Sequence, residues 1–317
     1  MILNIIFIII GFIILIKGAD LFVDGISSTA DNFKISKIII ALTVVAFGTS
    51  APEFAISVQG MLNNSGDIVL ANVIGSTIVN TMLVIGSAAM INSIKVKSET
   101  IKKQLPMHLI TILIFAILFI LGNDITRIDG IILFITFIGF LIYISKFAKA
   151  HNTVFDKKEK PRWNKTKSII ISIIGLIFIS TGSDLAVNNC AELAEKIGIS
   201  EKLITMIVLV IGTSAPELVM AITSAKKKEF DIILGNIIGT NLFNIGFVLG
   251  LPVMIFGEVT SIDFNLIDMI LMSLAGIIIY IFAKDDRIIS KREGIIMLTI
   301  FIEYYLYVII TGIWTIK

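Results

Sequence analysis

Apolar runs of about 20 residues follow one another from end to end of this 317-residue chain. As a helix, a run of that length crosses a hydrocarbon core ~30 Å thick. Inside a bilayer every backbone N–H and C=O must be satisfied within the protein, which leaves helices and closed barrels. Barrel strands alternate apolar and polar residues in short segments, and these runs do not alternate. The composition agrees: 56% hydrophobic, 16% charged, mean hydropathy +0.98. A soluble domain carries about 25% charged residues. The expected fold class is therefore all-α: a polytopic membrane protein whose main surroundings are the lipid bilayer. Nothing points to a nucleic-acid partner or to a required protein partner. A single cysteine, Cys190, excludes an internal disulfide and a cysteine-based metal cluster.

Ten transmembrane spans are expected, at 2–24, 37–61, 68–91, 106–122, 128–147, 168–189, 203–225, 231–254, 265–283 and 294–313. The first run is long and lacks a clear cleavage site, so it reads as a retained helix and not a signal peptide. The longest polar connection, 148–167, reads HNTVFDKKEKPRWNKTK over 151–167 and is expected to be a solvated linker. Counted by the loops that join these spans, 21 Lys and Arg fall on one face and 4 on the other, with Lys17 inside the first span. By the positive-inside rule the 148–167 linker is cytoplasmic and both termini lie outside.

The chain also repeats itself. Shifted by 164 residues without a gap, 11–90 falls on 175–254 with 27 identities in 80 positions. GFIILIKGADLFV matches GLIFISTGSDLAV, and DIVLANVIGSTIVN matches DIILGNIIGTNLFN. The expected units are 1–147 and 168–317, each holding five spans. Units with an odd number of spans insert with opposite orientation. That is the plan of secondary transporters, whose site lies near the midplane where the halves meet.

The hexapeptide GTSAPE occurs at 48–53 and again at 212–217. Each copy puts a glutamate, a proline and two hydroxyls in the middle of a span. An ionisable group at the bilayer centre costs ~2.5–3.5 kcal/mol on insertion scales. Glu53 and Glu217 have no Lys or Arg at matching depth, so a bound cation is the simplest counter-charge. Thr49 lies one helical turn before Glu53, and Ser50 is on the adjoining face. Pro52 and Pro216 lack an N–H, which frees the carbonyls of Gly48 and Gly212. Carboxylates, hydroxyls and carbonyls are hard oxygen ligands suited to Ca²⁺ and equally to Na⁺. His108 and His151 sit near a span end and in the linker, which disfavours zinc or copper. In the following spans Asn72, Ser76 and Asn80, and again Asn236, Thr240 and Asn244, recur every four residues as a polar stripe. Gly75 and Gly239 leave room for close helix approach. Taken singly, a TSxP in a membrane helix is more often a kink, and an Asn/Ser stripe is often interhelical glue. Their duplication on inverted halves, each with a buried glutamate, favours a site. Asp20 and Asp184 match across the repeat but lie near span ends and read as structural. Trp163 and Trp314 suit interfacial anchoring.

The two GTSAPE copies, with NVIGSTIVN and NIIGTNLFN, closely resemble the α-repeats of the Ca²⁺/cation antiporter superfamily, and most of all its prokaryotic sodium/calcium exchangers. The resemblance covers the whole chain and implies an antiporter in a prokaryotic plasma membrane with Ca²⁺ and Na⁺ as cargo, no cofactor and no enzymatic activity. It implies that Glu53 and Glu217 are the carboxylates shared by both ions, with oxygens added by Thr49 and Thr213. Ser50, Ser214 and the carbonyls of Ala46 and Val210 would serve flanking Na⁺ sites, completed by Ser76 and Thr240. Asn80 and Asn244 would face the central position, and the first and sixth spans would slide across the rest. Several exchangers carry aspartate at the position of Asn244. Here both halves carry asparagine, leaving two formal carboxylates. Other readings are a Ca²⁺/H⁺ or K⁺-coupled exchanger of the same fold and, from another class, a passive cation channel. An intramembrane protease would need a catalytic constellation that the sequence lacks.

Overall fold

The computed structural model describes residues 1–122, 124–150, 161–196, 210–260 and 266–314. The first half contains α1 (Ile2–Phe33), α2 (Lys37–Thr49), α3 (Ala51–Leu62), α4 (Gly66–Ile91), α5 (Thr100–Gly122) and α6 (Arg127–Ala150). The second contains α7 (Lys165–Lys196), α8 (Val210–Thr213), α9 (Ala215–Lys226), α10 (Phe230–Phe256), α11 (Leu266–Lys284) and α12 (Lys291–Trp314). Among the described residues eight helices are long and apolar enough to cross a membrane, and the bent pair α2–α3 makes a ninth. The span expected at 203–225 begins outside the described residues, at 203–209; its described part is α8 and α9. Most of the expected linker, 151–160, also lies outside them.

Hydropathy locates the membrane crossing, and the helices run past it. The first is expected to end at 24 but continues to Phe33, where Lys34 takes a left-handed cap (φ 55°). Polar residues on this extension find partners. Lys227 Nζ lies 2.7 Å from Asp24 and 3.3 Å from Asp20, and Arg162 pairs with Asp24. The hydroxyl of Ser27 donates to Glu229, which also pairs with Lys37 at 2.7 Å. Asp20 is thus ion-paired at the surface. Its repeat mate Asp184 is exposed on α7.

Two helices form the centre. Of the membrane-length windows of α10 and α4, 94% and 78% are buried, against 17–39% for the other unbroken spans. Around them the halves interlock. α2 packs on α10 and α9 on α4; α6 packs on α10 and α12 on α4. Two short antiparallel clips also join the halves. β1 (Ile94–Lys95) pairs with β4 (Ile288–Ile289), and β2 (Asp124–Ile125) pairs with β3 (Val259–Thr260). Large apolar side chains left exposed on α1, α6, α7, α11 and α12 form the outer surface, as a lipid-facing surface requires.

α1 and α7 lie antiparallel across this core, and their contact is backbone on backbone. A Cβ on Gly18 would sit 2.7 Å from the Ile179 nitrogen, and one on Gly182 would sit 2.5 Å from the Leu15 nitrogen. Lipid tails are as apolar as leucine, so close van der Waals packing of small residues holds such pairs together. Gly18→Val or Gly182→Val should therefore push the pair apart. We expect either to lower the unfolding temperature in detergent and to abolish transport, whereas Ile13→Val on the exposed face of α1 leaves both unchanged. Thermal unfolding of the purified variants checks this.

Candidate ion-binding site

The repeated GTSAPE motif folds identically in both halves. Ser50 (φ −85°, ψ 3°) and Ser214 (φ −86°, ψ 2°) each interrupt a helix that resumes one residue later with proline in the first turn. In the first half the break bends the span by 47°. Proline is at ease in a first turn because its missing N–H would be unpaired there anyway. The glutamate that follows is the third residue of the new helix, where the helix dipole favours negative charge. Of the carbonyls expected to be freed, that of Gly212 is met by the Ser183 hydroxyl at 3.3 Å. The Ala46 carbonyl accepts from the Ser50 N–H at 3.0 Å.

The two breaks bring Glu53 and Glu217 together at the centre, 1% and 0% exposed. They are close enough to repel each other, and Thr49 of the first half faces Glu217 of the second. None of their four carboxylate oxygens has a partner with hydrogen-bond geometry. Further buried side-chain atoms of the two motifs and the two stripes are also unpaired: Ser50 Oγ, Ser214 Oγ, Asn72 Oδ1, Ser76 Oγ, Thr240 Oγ1, Asn80 Oδ1, and both amide atoms of Asn236 and Asn244. Buried polar groups in proteins are nearly always hydrogen-bonded. Buried carboxylate, hydroxyl and amide oxygens without donors are the chemistry that a cation site needs. Thr49 is buried and its hydroxyl also lies 3.4 Å from the Ala46 carbonyl. Thr213 is half-buried, and Val210 heads the short helix α8. Among the described residues no three His, Cys, Asp or Glu cluster, so this candidate cage holds two formal charges.

The stripe residues arrive on α4 and α10. Asn72 Nδ2 donates to the Glu53 carbonyl at 2.9 Å and to Ser57 at 3.2 Å, tying α4 to α3, while its Oδ1 is buried and unpaired. Asn80 and Asn244 sit where each helix widens into a π-helical stretch, Val79–Val84 and Asn244–Leu249. Such bulges are frequent at functional sites. Hydropathy carries no signal for them. Close packing of α10 on α2 sets the width of the cage. A Cβ on Gly239 would lie 2.7 Å from the Leu42 carbonyl oxygen, the close approach expected there. A small cleft lined by Phe47, Phe54, Phe243 and Phe247 reaches Ser50 from the side.

One reading is corrected. His108, expected near a span end, is 1% exposed. Its helix begins at Thr100, six residues before the apolar run, so His108 lies well inside the fold. Its Nε2 is 2.9 Å from Nδ2 of Asn241, a residue that sequence reasoning passed over although it sits beside Thr240.

A model of the sodium/calcium exchanger protein family matches residues 3–146 and 167–310. The chain belongs to this family. It is 35% identical over 311 residues to an Alkalimonas amylolytica protein that carries the antiporter designation CaxA, covering 94% of this chain and 96% of that one. It is 27% identical over 346 residues to the sodium/calcium exchanger MaX1 of Methanosarcina acetivorans, covering 95% and 97%. The solved structure of the sodium-calcium exchanger NCX_Mj, soaked with Na⁺ and Sr²⁺, superposes with a TM-score of 0.85 at 30% identity over 96% of this chain and 98% of that one. The all-helical, polytopic membrane fold read from the sequence is therefore the fold of a known exchanger.

The uncompensated carboxylates make a testable demand. Without cations, Glu217→Gln should unfold at or above the wild-type temperature, because it removes a buried charge that no donor satisfies. Added Ca²⁺ or Na⁺ should raise the unfolding temperature of wild type but not of the variant, since only a bound ligand stabilises by mass action. Thermal unfolding with and without each ion reads both effects.

Proposed function

We propose that this member of the sodium/calcium exchanger family carries Ca²⁺ and Na⁺ in opposite directions across a prokaryotic plasma membrane by alternating access. One observation carries the reading: two buried carboxylates, one from each half, with every oxygen unpaired and a ring of unpaired hydroxyl and amide oxygens around them. Ca²⁺ takes 6–8 oxygen ligands, and two glutamates neutralise its charge. Glu53 and Glu217 are assigned to both ions, with Thr49, Thr213, Asn80 and Asn244 facing the centre. Ser50, Ser214, Ser76, Thr240 and the carbonyls of Ala46 and Val210 are assigned to flanking Na⁺ positions. Both termini are assigned to the outside, on the distribution of Lys and Arg. The five-span units 1–147 and 168–317, joined by 148–167, are the two inverted halves.

Competition for the same carboxylates enforces exchange. Two facing glutamates with no counter-ion are costly to enclose. The loaded forms are not, so only a loaded site passes between the two openings. Two helix ends aid loading, because the C-terminal ends of α2 and α8 offer carbonyl oxygens to a cation.

The test is ⁴⁵Ca²⁺ uptake into proteoliposomes loaded with Na⁺, with choline outside and a protonophore present. We expect uptake to require internal Na⁺ and to fall by about 100-fold or more in Glu53→Gln and Glu217→Gln, the scale of losing one partner of a buried charge pair. Uptake driven only by an acidic interior, without protonophore, would make protons the coupling ion. Flux without any counter-ion would make the protein a channel.

A further inference from the structure

A line of buried polar side chains runs from the cage into α5. Asn241 on α10 is its hub, 0% exposed. Its Nδ2 donates to Thr81 Oγ1 at 2.9 Å and lies 2.9 Å from His108 Nε2. Its Oδ1 accepts from Asn80 Nδ2 at 3.3 Å. Every polar atom of the Asn241 side chain is thereby used. Asn80 is left with one free atom, Oδ1, which is buried and unpaired.

The direction of this chain matters because a carboxamide has two unlike ends. With Asn241 as drawn, Asn80 gives its N–H to Asn241 and keeps its oxygen for a cation. With Asn241 reversed, Asn80 would give its oxygen to Asn241 and turn an N–H on the cation, which repels it. Thr81 does not choose between the two, because a hydroxyl both donates and accepts. The imidazole chooses once its proton is on Nδ1: its bare Nε2 then accepts only an N–H, which is the sense of the 2.9 Å contact with Asn241 Nδ2. Nδ1 of His108 and Oε1 of Gln104, one helical turn earlier, are both buried and without a partner.

The second half has no equivalent. Under the 164-residue shift Asn241 falls on Thr77 and Thr81 falls on Ile245. The Thr77 hydroxyl is spent on the Val73 carbonyl at 2.7 Å. Both amide atoms of Asn244 stay unpaired. One central asparagine is held by a hydrogen bond and the other has no partner on either amide atom.

We propose that His108 is a positioning residue of the ion site: acting through Asn241, it turns the carboxamide oxygen of Asn80 toward the cation. The proposal rests on Asn80 being a ligand, and its test separates the two. Ca²⁺ affinity and turnover are measured by ⁴⁵Ca²⁺ uptake in proteoliposomes for wild type, His108→Leu, Asn80→Ala and the double variant. We expect His108→Leu to raise the KM for Ca²⁺ about tenfold, the scale of one hydrogen bond to a ligand, with kcat little changed. In the Asn80→Ala background the same substitution should change KM less than about twofold, because nothing is left to orient. His108→Gln should recover part of the loss, since an amide restores a partner without restoring the preference for an acceptor. If His108→Leu does not yield folded protein, Asn241→Thr breaks the same chain with a smaller residue and should behave alike. Equal effects of His108→Leu in both backgrounds, or none in wild type, would overturn the proposal and leave Asn80 as a ligand. An Asn80→Ala protein with unchanged KM would overturn both, while Na⁺-dependent uptake that still needs Glu217 would leave the exchange reading standing.

Discussion

Two carboxylates buried at one point, with no donor in hydrogen-bond geometry on any of their oxygens, set the terms for everything around them. In an ordinary core such groups would be paired with Arg or Lys, or replaced by apolar residues at little cost. Here the pairing is withheld. Glu53 and Glu217 come from different halves, and buried hydroxyls and amides of the same motifs and stripes are also left unpaired. A mobile cation is the one group that balances this charge and can also leave. The energetic deficit of the empty cage is what couples the flow of one ion to that of the other.

The scaffold separates a buried centre from an outer layer. α4 and α10 carry the stripes, are the most buried spans, and are each clasped by helices of the opposite half. α1 and α7 form a separate layer. Glycine-lined backbone contact binds them to each other. Half-buried ion pairs such as Lys227 with Asp24 and an apolar contact with α2, α9 and α10 join this layer to the core. A layer stiff within itself suits an element that shifts as a unit.

Much of this is legible in the sequence because membrane burial leaves few alternatives. Runs of apolar residues can only be spans, and a glutamate repeated at the same place in two spans needs a partner. The helix breaks at Ser50 and Ser214 follow from proline chemistry. What escapes is of two kinds. Helix ends beyond the apolar run, as at Phe33, are met by hydrogen bonds to residues far along the chain, Ser27 to Glu229 and Asn32 to the Trp163 carbonyl, and hydropathy does not register them. The π-helical stretches at Asn80 and Asn244, and the contact of His108 with Asn241, depend on how helices of opposite halves meet. A histidine at the edge of an apolar run gives no sign of that, because the α5 helix starts earlier than the run.

The most direct test of the account is the position of a bound ion. Crystals soaked in Sr²⁺, a Ca²⁺ surrogate with measurable anomalous scattering, would locate it without reference to any activity. The account predicts one strong peak between Glu53 and Glu217, within about 2.3–2.8 Å of oxygens from both, slightly beyond the Ca²⁺–oxygen range, and its loss in the Glu217→Gln protein. A peak bound by one half alone, or a cage in which both carboxylates are hydrogen-bonded to protein donors and no ion enters, would contradict it.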